Sequence, residues 1–147
     1  MKRTPFAVFT VLLIALVSAC APRLDPDRGA QRFFDKGCEQ ILGSLEKQKA
    51  TPDQLSQARA ILDRHGQTVP QEIAAMIREH KQLLRTVTAG KDSAALLAQE
   101  DKFHTRHIAA VRAIGSMHEE LESAVGKPLW AAASADMQQR MADRLRD

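Results

Sequence analysis

An all-α fold is predicted for this chain, with four to five helices in a hairpin or bundle built around one long member. Three observations predict it. From about residue 29 onward, apolar residues recur every three or four positions, the period of an amphipathic helix. No stretch gives a convincing alternating strand or hairpin signal. Caps and breakers fall where helices should start or stop, at Thr51-Pro52, Gly66, Pro70, Gly90, Gly126 and Pro128.

The N-terminal end is of another kind. Lys2 and Arg3 precede an apolar run from Phe6 to Val17, followed by small residues and Cys20, the pattern of a secretory signal. The run is shorter than the roughly 20 residues that span a bilayer. Val17-Ser18-Ala19-Cys20 resembles the lipobox of bacterial lipoproteins. That resemblance implies cleavage before Cys20 and lipid on its sulfur and new amino terminus; an uncleaved anchor helix is the alternative. By the same resemblance, Ala21 implies a periplasmic protein held at the outer membrane of a Gram-negative bacterium. Residues 1–19 are therefore expected to be signal, and 20–28, with Pro22 and Pro26, a lipidated cysteine and short tether. Fully extended, the tether reaches at most about 25 to 30 Å.

Residues 29–147 read as one helical domain. A first helix from about Gly29 to Lys49 places Phe34, Cys38, Ile41, Leu42 and Leu45 on one stripe. Thr51-Pro52-Asp53-Gln54 combines an N-cap, a proline at the first helical position and a glutamine three residues after the cap. The second helix starts there, buries Leu55, Ala58, Ile61 and Leu62, and ends at His65-Gly66, where glycine can turn left-handed. His65 reads as a solvated residue near the helix's negative end. Pro70 opens a third helix with a buried face of Ile73, Ile77, His80, Leu84 and Val87, stopped by Gly90. Asp92 or Ser93 caps a fourth, from Ser93 to about Val125, roughly 50 Å long and in need of a partner. The last runs from about Leu129 or Trp130 to Leu145, with Trp130, Met137, Met141 and Leu145 on one side.

Composition excludes several functions. Once Lys2 and Arg3 leave with the signal, 19 Lys and Arg face 18 Asp and Glu, a net charge of +1. With no basic stripe and only Phe33, Phe34, Phe103 and Trp130 as aromatics, neither phosphate neutralisation nor base stacking is supported, so nucleic acid is not an expected partner. The chain has no glycine-rich phosphate loop, no His-Glu-x-x-His pair and no serine in a nucleophile turn, and is expected to be no enzyme. With Cys20 lipidated, Cys38 has no partner within the chain. It reads as a small buried hydrophobe, with an intermolecular disulfide or metal ligation as alternatives.

The stretch Glu100–Leu121 carries three of the five histidines. On a helical wheel His104, His107 and His118 fall among Phe103, Ile108, Val111, Ile114 and Leu121, on the apolar arc. Glu100, His104 and His107 stand at i, i+4 and i+7, within reach of one ion, and imidazole with carboxylate suits zinc, nickel, cobalt or copper. His118 and His80 are candidate cross-chain or cross-helix ligands. The competing reading packs these imidazoles in the core or in a dimer seam. Antiparallel pairing of two copies of the long helix near Val111 and Arg112 would bring His107 of one toward His118 of the other, so a homodimer is expected.

A secreted helical chain of this size, with a Thr51-x-x-Gln54 start, a helix pair, a long helix and a closing helix, resembles the Spy and CpxP group of bacterial periplasmic proteins, which includes heavy-metal sensors and resistance proteins. That group's signature is a repeated Leu-Thr-x-x-Gln. Here alanine replaces leucine in the first copy, and Ala133-Ser134-Ala135-Asp136-Met137 keeps at most a serine in the second. The resemblance implies a hairpin fold that dimerises into a shallow cradle, and chaperoning, stress signalling or metal binding as activity.

Three functional readings follow. One is a tethered module that binds a protein partner or unfolded client in envelope stress, with Arg59, Arg64, Arg78, Lys81 and Arg85 as rim charges. A second is a periplasmic metal sensor or buffer using the histidines. A third is an accessory lipoprotein assembling with an envelope machine.

Overall fold

The computed structural model describes residues 25–144, which form five helices and no strand. The signal-like segment, Cys20 and Leu145 lie outside the described residues.

Helix α1 (Pro26–Lys47) begins earlier than Gly29 because Asp25 caps it: its carboxylate accepts the N–H groups of Asp27 at 2.9 Å and Arg28 at 3.4 Å, and Pro26 presets the first turn. Residues 26–28 are thus helix and not tether. At the other end the N–H of Ala50 donates to the carbonyl of Leu45 while Lys49 adopts φ +62°, a left-handed closure made without glycine.

Helix α2 (Pro52–His65) opens with the expected capping box. Thr51 Oγ1 accepts from the N–H of Gln54 at 3.2 Å, and Gln54 Oε1 accepts from the N–H of Thr51 at 2.9 Å. Gln54 Nε2 also donates to the carbonyl of Val125 at 2.8 Å, so the motif ties the start of α2 to a distant helix end.

Gly66 does not turn left-handed as expected; its φ is −62°, and α3 (Thr68–Thr88) starts almost at once, before Pro70. A side chain at Gly66 would approach the carbonyl of Asp63 to 3.1 Å, so glycine serves closeness there. Gly90 is left-handed at φ +61°, and Asp92 caps α4 (Ser93–Val125) by accepting from the N–H of Ala95 at 2.8 Å. Gly126, at φ +90°, breaks the chain into α5 (Lys127–Arg144).

Helix α4 packs on α2, α3 and α5, and α1 packs on the same three, while α1 and α4 share no extensive contact. The core between them takes Leu45 from α1, Leu62 from α2, Val69 and Ile73 from α3, Leu121 from α4 and Trp130 from α5. It lies at one end of the molecule. On α3 nothing after Ile77 is buried, and on α4 only Gln99 is buried before Ala110. The distal halves of α3 and α4 form an arm beyond the body.

Three charged clusters pin the body. Asp136 of α5, whose side chain is 10% exposed, accepts from Ser44 Oγ at 2.9 Å and pairs with Lys47 and Arg140. These partners, Lys47 foremost, hold its carboxyl below the usual carboxylate range. Glu120 of α4 receives Arg64 at 2.8 Å and His65 at 3.0 Å, and Arg78 of α3 meets Asp27 of α1 at 2.8 Å. His65 is therefore a cross-helix partner with a side chain only 14% exposed, contrary to the solvated position expected for it.

Candidate functional site

The long helix carries its histidines into three different surroundings. Glu100 and His104 are exposed on the arm. His107 is half-buried, its ring stacked on Phe103 with centroids 6.0 Å apart; His80 of α3 meets the same phenyl ring at 5.2 Å. His118 packs edge-on against Trp130 at 5.3 Å, in the body. Burial pushes its imidazole down to about 4, so it is uncharged at neutral pH. Among the described residues no three His, Cys, Asp or Glu side chains form a group able to hold a metal ion. The structure thus brings His80 and His107 to one phenyl ring, and keeps His118 apart from both.

The candidate rim charges are dispersed among pairings. Arg59 reaches Glu46 at 3.5 Å, and Arg64 and Arg78 make the cross-helix pairs already described. Lys81 is half-buried and Arg85 exposed, both on the arm.

A feature with no sequence signal of its own lies between α1 and α4. Because α3 and α5 hold these two helices apart, a cavity of about 240 Å³ opens between them. Phe34, Cys38 and Ile41 line it on one side, Ile114, Met117 and His118 on the other, with Ile73 and Met137 between. Burial, aided by the negative charges of Asp35 and Asp63, pushes the Cys38 thiol up to about 11. A protonated thiol and an uncharged imidazole on opposite walls of one cavity are not an activated nucleophile pair.

The second feature is the arm. The expected buried face of α3 ran through Leu84 and Val87, yet these are 49% and 52% exposed. On α4, Leu97 is 65% and Ile108 43% exposed; both lie roughly 100° or more round the helix from the buried Ile114, so Ile108 is off the arc on which it was expected. For Leu84 and Val87 the reason is the mismatch of helix lengths. α1 starts at the level of Arg78, and nothing among the described residues covers the same stripe further out. Leu84 stands eleven residues after Ile73, three helical turns along the stripe that faces α1. Contacts cross the arm from α4 to α3 where Phe103 meets His80 and where Gln99 Nε2 donates to Glu79 Oε2 at 2.7 Å. The sequence did carry one pointer to this surface: a helix of 33 residues cannot be covered along its length by neighbours of 14 and 18.

No helix among the described residues is long and apolar enough to cross a membrane. No family model matches the chain, and neither a curated protein nor a solved structure matches it.

Proposed function

We propose that this chain is a non-enzymatic, lipid-anchored periplasmic binding protein that holds apolar segments of a protein partner or unfolding client on its α3–α4 arm. The observation that carries the reading is the exposure on the arm of four large apolar side chains, Leu84 and Val87 on α3 and Leu97 and Ile108 on α4, with Leu84 continuing the core stripe of α3.

The Thr51-x-x-Gln54 start supports placement near the Spy and CpxP group, and with it a role in envelope stress and assembly as a homodimer. The signal-like segment ending in Cys20 supports delivery across the inner membrane and a lipid tether.

The test is a client-aggregation assay with residues 21–147, beside a Leu84→Ser/Leu97→Ser variant of unchanged melting temperature. The wild-type chain should delay aggregation of a reduced test protein at near-stoichiometric ratios, and the variant should lose much of that effect. No delay by the wild type at several-fold excess would end the reading.

A further inference from the structure

We propose that the cavity between α1 and α4 is a binding site for a small, uncharged, predominantly apolar molecule, of the size of a substituted benzene. The proposal is independent of the arm and of any client bound there.

Volume sets the size of the occupant. An engineered apolar cavity of about 150 Å³ holds benzene, and the space here, about 240 Å³, admits a ring with several further heavy atoms. The walls explain why the space does not simply collapse. α1 packs along α3 and α5 and is tied to α5 where Ser44 and Lys47 meet Asp136, so it is held off α4. Gly37 enlarges the opening on the α1 side. A glycine inside a helix costs about 1 kcal/mol relative to alanine, and no close approach compensates here, since a Cβ at this position would meet nothing within 4 Å.

Chemistry sets the character of the occupant. The lining is mainly aliphatic, aromatic and thioether, and Met117 and Met137 can adjust to different shapes. Its two titratable interior groups, Cys38 and His118, are both uncharged at neutral pH. The one ionised lining residue, Lys36, is exposed. A charged ligand would find no opposite charge among the interior side chains and would lose its hydration.

Residues 21–147 contain every core side chain and leave Cys38 as the single thiol. With methyl-labelled methionine, titration with toluene should give saturable shifts of Met117 and Met137 while Met76 and Met141 stay in place. Benzoate and benzylammonium should not compete. A Gly37→Leu variant, which fills the space, should lose the toluene response without losing thermal stability. As a measurement needing no variant, alkylation of Cys38 should slow about tenfold at about ten times the toluene dissociation constant. Shifts that are unsaturable or spread over all four methionines, or alkylation unaffected by toluene, would overturn the proposal. Equal binding of the charged analogues would overturn its chemical class.

Discussion

Between Ala110 and Val125, α4 buries a residue on nearly every turn, whereas between Ser93 and Ala109 it buries only Gln99. Both halves carry apolar residues, but in the outer half Leu97 and Ile108 lie away from the side that Gln99 and Phe103 turn toward α3. The difference lies in what stands opposite: α2, α5 and the first half of α3 around the inner part, and a single antiparallel partner along the outer part. A helix hairpin alone hides one strip of each member and leaves the flanks wet. Amphipathic spacing therefore reports which side of a helix seeks cover, and the lengths of neighbouring helices decide whether it gets any.

This contrast predicts unequal mutational costs. Leu121→Ala, at a side chain with no exposed surface, should destabilise the chain by about 2 to 5 kcal/mol in denaturant unfolding. Leu97→Ala should change stability by less than about 0.5 kcal/mol. Comparable losses at both sites would show that the arm is covered in solution, as in a dimer.

Acidification should strike the body first. His118 has its folded-state value lowered to about 4 from an ordinary 6.5, so between these pH values the unfolded chain binds the extra proton. Stability is then greatest above pH 6.5 and falls as pH drops toward 4, by about 3 kcal/mol in all. His118→Phe should flatten the unfolding free energy over that window. An unchanged pH profile in the variant would place the titrating group elsewhere.

Two backbone substitutions test the joint between α1 and α2. Thr51→Ala removes the cap on Gln54 and should cost about 1 kcal/mol. Lys49→Gly relieves a left-handed lysine and should add about 0.5 to 1 kcal/mol. Thermal unfolding of the two variants should shift in opposite directions.

The smallest effect on global stability is expected in the arm, where amide exchange gives the finer measure. Amides of residues 84–100 should open at lower free energy than those of residues 110–125. Uniform protection along α4 would erase the distinction between arm and body.

Much of the fold was legible because local chemistry set it. The Thr51 capping box, the stop at Gly90, the Asp92 cap and the break at Gly126 all depend on residues within one turn of each boundary. The Asp25 cap and the conformation of Gly66 are set within a few residues and were missed all the same, while the other misreadings arose where a neighbour distant in sequence decides. His65 looked solvated until Glu120 was placed beside it. Glu100, His104 and His107 share a helical face, but the fold gives His107 to Phe103 and brings His80 there from another helix.

The sequence by itself determined the helical class and the capped starts at Thr51 and Asp92, because hydrogen bonds within a turn and the 3.6-residue period are local. Only the tertiary structure decided that Leu84 and Leu97 stay exposed, that His118 meets Trp130, and that α1 and α4 stand apart around a cavity. Those outcomes depend on how rods of unequal length are held against one another, by pairs such as Asp27 with Arg78 and Lys47 with Asp136. Periodicity carries no record of that arrangement.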